Sequence, residues 1–293
     1  MGGSRIGRIG QIKIYVLKCF RTFFYEKGWK SLISTLIIAF VLAWVVGDDT
    51  FEIFENTETG IFAMICGCVW VGLFNSIQSI CRERAIIKRE HRTGLHISSY
   101  VIAHMIFEFV ICLVDAIILT TVFDIFRDFP SKGVIFDWIW LEFFISFALI
   151  TFCADALGLL VSCIVKTENA AMTVMPFVLI VQLVMCGFMF VLPKYAEPVK
   201  EVTLSKWGMS AICSTADVNE LPNHVTLAKL DEIKKVNPEV KDWKEAGIKQ
   251  EIDKQYKAEA RNITTAWGVL AGYSVLYGII GSLMLKLVDK DKR

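Results

Sequence analysis

Residues 31–59 read SLISTLIIAFVLAWVVGDDTFEIFENTET, an uncharged run that ends at Val46 and is followed by an acidic loop. The loop from Gly47 to Thr59 contains five carboxylates and no Lys or Arg: Asp48, Asp49, Glu52, Glu55 and Glu58. The segment before the run is basic: Arg5, Arg8, Lys13, Lys18, Arg21, Lys27 and Lys30. Because basic flanks stay in the cytoplasm, this stretch predicts a membrane helix that runs outward from a cytoplasmic N-terminus.

Five further apolar runs follow the first: Gly60 to Ile80, Ser98 to Phe123, Ile135 to Val165, Ala171 to Leu192 and Ile263 to Leu287. A bilayer core takes about 20 apolar residues in a helix, and 55% of the 293 residues are hydrophobic. The formal net charge is only +1, but the loop after the second run and the tail are basic: Arg82, Arg84, Lys88, Arg89, Arg92, then Lys286, Lys290, Lys292 and Arg293. The sequence therefore predicts an all-α integral membrane protein with six transmembrane helices and both termini cytoplasmic, in the plasma membrane.

Two segments are not predicted to span. Residues 1–28 are expected to form an amphipathic helix in the inner interface, an elbow before the first span. Its predicted apolar face is Ile9, Ile12, Val16, Cys19, Phe20 and Phe23, with Gln11, Lys18 and Arg21 elsewhere. Spans one to five are predicted within residues 29–192, with a charged helix at 81–94. A long outer loop, whose second half is helical and solvated, is predicted at residues 193–262. The last span and the basic tail would follow at residues 263–293.

Enzyme chemistry has little support in this sequence. It lacks GxxxxGK[ST], HExxH and GxSxG patterns, and its four His are scattered. The nine Cys show no zinc or disulfide spacing, so no metal and no cofactor are expected on the chain. Cys213 alone lies in the predicted outer loop, where it could bridge two copies of the chain or be a buried free thiol.

The charged stretch at 80–94, ICRERAIIKREHRTG, is the most informative for function. Neither Glu83 nor Glu90 has a basic residue three or four positions away, so neither is neutralised along its own helix. A solvated, positive-inside loop would explain the basic residues alone, whereas the two glutamates are available to bind another element.

The same stretch resembles a known family. RERAIIKRE at 82–90, Thr93-Gly94, SSY at 98–100 and Glu108 are similar to the loop and third span of ABCG-type transporters and of their bacterial type-two ABC permease relatives. Met175-Pro176, Gly187-Phe188, SKWGMSA at 205–211 and Asn219-Glu220 resemble the fifth span and outer loop. The sequence departs in the insert at 222–262 and in the nucleotide-binding domain, which is not in these 293 residues. The ATPase is then expected on a separate polypeptide, or the chain is a fragment of a longer one.

The resemblance implies three sets of functional residues. The helix at 81–94 would be the coupling helix that contacts the ATPase: Arg82, Glu83, Arg84, Lys88, Arg89 and Glu90. Glu83 is expected to meet a basic group of the N-terminal helix or of the ATPase. The substrate cavity would lie at a dimer axis between the second and fifth spans: Val71, Phe74, Asn75, Gln78, Leu179, Gln182 and Leu183. Phe188 and Met189 would form an outer gate. Interhelical hydrogen bonds and ordinary packing are the alternatives for the last two sets.

Acidic residues within spans need partners or water. Glu108 and Asp115 share a helix face, and Asp155 lies in the fourth run. A buried polar network or a proton relay would use such residues.

The expected function is that of the permease subunit of an ATP-driven ABC exporter that moves an amphiphilic small molecule, lipid or peptide. Its partners would be an ABC ATPase that holds ATP and Mg, a second identical or similar permease, and membrane lipid; no nucleic acid is expected. The alternatives are a proton-coupled secondary transporter and a membrane receptor that does not transport.

Overall fold

The computed structural model describes residues 7–47, 49–190, 193–236, 243–245, 247–248, 250 and 252–287, apart from the side chain of Asp231. These residues form helices and no strand. The α-helices are α1 Arg8–Tyr25, α2 Lys30–Val45, α3 Phe54–Ser76, α4 Arg84–Arg92, α5 Ile97–Phe126, α6 Ile139–Ile164, α7 Glu168–Val184, α8 Glu197–Val202, α9 Leu204–Thr215, α10 His224–Val236 and α11 Ala260–Leu285. Short 3-10 turns lie at Cys81–Glu83, Val218–Glu220 and Lys254–Tyr256. Five residues used above for the charge asymmetry lie outside the described residues: Arg5, Asp48, Lys290, Lys292 and Arg293.

Each predicted apolar run overlaps a helix, although the run from Ala171 to Leu192 continues beyond the end of α7 at Val184. Among the described residues, four helical segments are long and apolar enough to cross a membrane: 54–92, α5, α6 and α11. The pair α1 and α2, bent by 72° between them, makes a fifth if it is taken as one span. Helix α7 has 17 residues, roughly 26 Å at 1.5 Å per residue, which is shorter than a bilayer core of about 30 Å. The chain is a multi-pass helical membrane protein.

Helix α6 lies at the centre of the bundle and packs against α3, α5 and α11. Its contact with α3 is close because Gly72 has no side chain: a Cβ there would overlap the Thr151 carbonyl oxygen and the Ala154 methyl group. The end of α3 is fixed to α6 as well, since the backbone N–H groups of Ile80 and Cys81 both donate to Ser162 Oγ at 3.0 Å. Small residues at helix contacts are typical of membrane bundles.

Helix α9 is buried in the bundle, although it belongs to the segment expected to be a long outer loop. All but one of its twelve residues are buried, because Gly208 lets α9 approach Ile150 and Ile65 closely. Cys213 is fully buried with a free thiol, which matches the buried-thiol alternative and not a bridge between copies. Burial, and then the nearby carboxylates of Glu58 and Asp253, raise the pKa of this thiol well above its usual range.

The insert that follows α9 is held together at its base. Asn219 Nδ2 donates to the Asp253 carbonyl oxygen at 3.0 Å, and Asp253 N donates back to Asn219 Oδ1 at the same distance. Nearby, Ser210 Oγ of α9 donates to the Gln255 carbonyl oxygen at 3.1 Å, and Tyr256 is buried. The second half of this segment was expected to form one or two solvated helices, and the described residues contain one α-helix there, α10.

Helix α1 packs on the protein mainly through the apolar face that its periodicity predicted. Of the six residues of that face, five are half-buried: Ile12, Val16, Cys19, Phe20 and Phe23. Phe20 and Phe23 both contact Phe107 of α5. Ile9 is the exception, at 84% exposure. Gln11 and Lys18, which were placed elsewhere, are half-buried and hydrogen-bonded to the segment between α3 and α5. The physical reason is that α1 packs on α5 and α4, whose polar side chains attract the polar side of α1.

Candidate functional site

The charged segment at 81–94 folds as a 3-10 turn and α4, and it closes at Gly94, whose φ of 115° favours glycine. Glu83 lies at the start of this segment and receives two hydrogen bonds on Oε2, from Lys18 Nζ and from Tyr100 OH, both at 2.8 Å. Burial raises the pKa of a carboxyl, but these two hydrogen bonds outweigh it and hold the pKa of Glu83 below its usual value. The basic group of the N-terminal helix that the sequence led us to expect beside Glu83 is Lys18.

A second set of contacts joins the other end of α4 to α1. Tyr15 OH donates to Glu90 Oε2 at 2.7 Å. Gln11 makes two hydrogen bonds across the turn after α4: its Nε2 donates to the Gly94 carbonyl oxygen at 3.1 Å, and His96 N donates to its Oε1 at 2.9 Å. Both ends of α4 are therefore fastened to α1, and we call the contacts of α1 with residues 83–96 the elbow junction.

The basic residues of the segment have different roles. Arg84 Nη1 donates to the carbonyl oxygens of Cys163 and Val165 at 2.8 and 2.9 Å, where a cation complements the negative end of α6. Arg82 pairs with Glu26 at 2.9 Å. Lys88 is half-buried and Arg89 is exposed. The exposed positions leave part of α4 accessible to a partner.

Three of the predicted cavity residues line a real cavity, and the others do not. Phe74, Asn75 and Gln78 line a cavity of about 260 Å³ between α1, α3 and α5. Val71 is buried within the bundle. Leu179 and Gln182 of α7 are also buried, and Gln182 Oε1 accepts a hydrogen bond from Leu204 N at 2.9 Å.

Helix α7 contributes Leu183, which is half-buried, and does not share the cavity of about 260 Å³. Within one chain the α3 and α7 sets thus lie apart. Both helices expose large apolar side chains, such as Trp70 and Phe74 on α3 and Phe177 and Ile180 on α7.

The residues assigned to an outer gate follow α7. Gly187 has a φ of 81°, which turns the chain, and the next residue, Phe188, lies against Phe62 of α3 with ring centroids 4.7 Å apart. Met189 is 56% exposed. Phe188 is therefore held by aromatic packing, while Met189 is accessible.

The three acidic residues within the spans are all buried, at 3%, 0% and 1% exposure for Glu108, Asp115 and Asp155. Asp115 accepts hydrogen bonds from Thr35 Oγ1 at 2.7 Å and from Asn75 Nδ2 at 2.8 Å, so it connects α2, α3 and α5.

Glu108 accepts a longer hydrogen bond, 3.2 Å, from Ser79 Oγ. Neither oxygen of Asp155 has a hydrogen-bond partner among the described residues. The structure thus gives Asp115 a network and leaves Asp155 without one.

Sequence reasoning missed the partners of these groups. Tyr15 and Thr35 were not singled out, Tyr100 was noted only as part of the family resemblance, and Lys18 was not named as the partner of Glu83. A signal existed for Tyr15 and Lys18: they are three residues apart on α1, as required for two side chains that contact one neighbouring segment. Thr35 lies in an apolar run, where a single hydroxyl gives no such signal.

Comparison with known proteins agrees with this architecture. The family model described as ABC-2 type transporter matches residues 10–215, from the elbow junction through α9. The chain belongs to the ABC-2 type transporter family. It is also similar to the ABC transporter ATP-binding/permease protein Rv1747 of Mycobacterium tuberculosis, with 29% identity over 161 residues. That alignment covers 53% of this chain and 18% of the relative, so this chain corresponds to a small part of that protein.

Membership in the ABC-2 type transporter family establishes the general role of the chain. An ABC-2 membrane domain is the permease part of an ABC transporter, so this chain is a transport component. The match includes α1, α4 and the cavity between α1, α3 and α5. The proposals for the ATPase contact and for the substrate path depend on these elements.

Proposed function

We propose that the chain is the membrane subunit of an ATP-driven ABC exporter that works as a dimer with itself or a similar permease. A nucleotide-binding partner would bind ATP and Mg and contact α4. The elbow junction carries this proposal. It ties α4 at both ends to α1, through Lys18–Glu83 and Tyr15–Glu90, so a push on α4 would move α1 and α5 with it.

The proposed topology has six crossings and both termini in the cytoplasm of a plasma-membrane protein. The crossings in this topology are α2, α3, α5, α6, α7 and α11, and α4 lies on the inner side between α3 and α5. Helix α1 would lie in the inner interface, where its exposed apolar residues would contact lipid: Ile9, Ile14, Leu17 and Phe24. The short helices α2 and α7 would cross with their flanking residues or with local thinning of the bilayer.

The exposed apolar faces of α3 and α7 support a dimer. A second permease would cover Trp70 and Phe177, which are 49% and 66% exposed in one chain, and it would bring the α3 and α7 residues of a shared substrate path together. Phe188 and Met189 would close that path on the outer side. The proposed substrate is an amphiphile, because aromatic and amide side chains line the α3 side of the path.

The decisive experiment is transport in proteoliposomes that contain this chain and its candidate ATPase. Export of an amphiphilic substrate should require ATP hydrolysis and should stop when the catalytic site of the ATPase is inactivated. Uptake driven by a proton gradient without ATP would overturn the proposal.

One observation favours the second candidate, a proton-coupled carrier. Asp155 is a buried carboxylate without a hydrogen-bond partner among the described residues, and it interacts electrostatically with Glu108 and Asp115. A carboxylate in such a position is typical of a proton relay. Loss of ATP-driven transport in Glu83→Gln with full activity in Asp155→Asn would favour the exporter, and the reverse result would favour the carrier.

A further inference from the structure

The cavity between α1, α3 and α5 has an acidic charge balance. Its lining contains three carboxylates, on Glu26, Glu83 and Glu108, and two cationic side chains, on Lys18 and Arg82. Both cations are already used: Lys18 Nζ lies 2.8 Å from Glu83, and Arg82 Nη2 lies 2.9 Å from Glu26. His104 also lines the cavity. Among the Glu, Lys and Arg side chains of the lining, one carboxylate has no cation within ion-pair distance, and it is Glu108.

Glu108 is also the deepest of the three carboxylates. It comes eleven residues after the start of α5 at Ile97, roughly 16 Å along the helix axis. Its described hydrogen-bond donor is Ser79 Oγ, a neutral group at 3.2 Å. An ionised carboxylate at 3% exposure that lacks a cation is costly inside a membrane protein, so pairing with an incoming positive charge would stabilise its ionised form.

The walls around this carboxylate suit the apolar part of a cation. Phe23 and Phe107 pack edge-to-face with ring centroids 5.7 Å apart, and Phe74 lines the same cavity while 46% exposed. Aromatic rings attract cations through their faces. Asn75 and Gln78 add neutral polar groups to the lining.

We propose that this cavity binds a lipophilic monovalent cation, whose charge lies at Glu108 and whose apolar part contacts Phe23, Phe74 and Phe107. The inference rests on the proposed function, for which it narrows the substrate class from amphiphiles to cationic amphiphiles. The ligand reaches the cavity from the inner interface, past the Lys18–Glu83 pair. The site is therefore in direct contact with the elbow junction, and a bound cation lies next to the ion pair proposed to transmit the ATPase motion.

Binding to the purified chain in a neutral maltoside detergent tests the site without any ATPase. The probes are tetraphenylphosphonium and tetraphenylborate, which have nearly the same shape and opposite charge. The chain should bind the cation and not the anion. Glu108→Gln keeps the volume and the oxygen that accepts from Ser79, and it should raise the Kd for the cation about tenfold or more, the order expected when a partly buried charge pair is removed.

Two further variants make the result specific. Gln78→Lys adds a positive charge to the cavity wall and should weaken binding of the cation to a similar extent, which keeps the test valid if Glu108→Gln does not fold. Asp128→Asn makes the same chemical change at an exposed position after α5, outside the cavity lining, and should leave the Kd unchanged. Equal Kd values for the cation in wild type and Glu108→Gln, or tighter binding of the anion, would overturn the proposal.

Two sources could supply such a cation, a free solute or the ammonium group of a phospholipid. Titration with phosphatidylethanolamine distinguishes the two sources: displacement of the probe identifies the lipid, and no displacement identifies a solute.

A transport assay distinguishes failure of the cation site from failure of the proposed exporter function on which it rests. ATP-driven export that is insensitive to Glu108→Gln refutes the cation site and keeps the exporter, whereas Glu108-dependent binding without ATP-driven export keeps the site and refutes the exporter.

Discussion

Glu83→Gln is the substitution that tests the elbow junction most directly. It removes the charge and keeps the side-chain volume, so the amide oxygen of the variant could still accept from Tyr100. The side chain of Glu83 is 18% exposed and that of Lys18 is 36% exposed. Hydrogen bonds to charged groups contribute about 1.5–3 kcal/mol and exposed ion pairs about 0.2–1 kcal/mol. Because solvent screens Lys18, we expect the lower part of this combined range, about 1 kcal/mol, for the pair.

A double-mutant cycle measures this value. The free energy of unfolding is compared among wild type, Lys18→Met, Glu83→Gln and the double variant, and the expected coupling is about 1 kcal/mol. Since the hydrogen bonds hold the pKa of Glu83 below its usual 4.5, this contribution is complete above about pH 4.5 and is lost as the pH falls through the lower folded-state pKa. Glu26→Gln, at the exposed pair with Arg82, is the matched control and should have almost no effect on stability.

Glu83→Gln should reduce ATP-driven transport even though it lowers the free energy of unfolding only slightly. We expect Glu83→Gln to assemble with the ATPase and to lower ATP-driven transport about fivefold or more, since a free energy of about 1 kcal/mol at the junction changes an equilibrium about fivefold. The assay is transport per ATP hydrolysed in proteoliposomes, with complex formation measured by co-purification. Wild-type transport and assembly in Glu83→Gln would show that the junction does not couple the ATPase to the spans.

Three further predictions concern the bundle. Gly72→Ala should destabilise the protein by about 1–3 kcal/mol, the usual cost of overpacking, because its Cβ would overlap the Thr151 carbonyl oxygen, whereas Gly268→Ala, with open space around it, should not destabilise it in thermal unfolding. Asp155→Asn should leave the melting temperature unchanged or raise it, since the carboxyl group that it replaces has no hydrogen-bond partner among the described residues; a clear decrease would indicate a bound group that the carboxyl group holds. Cys213 should resist maleimide in the folded protein at neutral pH and react faster only as the pH rises well above 9, because burial raises its pKa; rapid labelling at pH 7 would contradict its burial.

The sequence was sufficient to predict the helices and one of the important contacts. Apolar length and charge asymmetry placed every long helix. The lack of a basic residue three or four positions from Glu83 indicated a partner on another element, which is Lys18. The apolar face of α1 was predicted correctly except for Ile9, which is exposed. The contact of Gln11 with the protein was not predicted. Periodicity separates apolar from polar faces, but in a membrane an apolar side chain can contact lipid while a polar one contacts protein.

The burial of α9 and the network of Asp115 could not be predicted for a different reason. Helix α9 is rich in Ser, Gly and Ala, which reads as a polar segment, yet small residues are what permit close helix packing. The partners of Asp115 are Thr35 and Asn75, which are 80 and 40 residues away. Contacts at such separations depend on how the helices are arranged, which a single sequence does not specify.

The reciprocal hydrogen bonds between Asn219 and Asp253 have a consequence for how this protein can change over evolution. They bring the two ends of the insert together on α9, so the bundle receives the chain at Gln255 in the same place whatever lies between. Doubling the length of a flexible loop costs only about 0.6 kcal/mol in closure entropy. Descendants of this gene can therefore lengthen, shorten or exchange the segment between His224 and Gln250 while the membrane bundle stays the same, which makes this insert the part of the transporter that is freest to diversify.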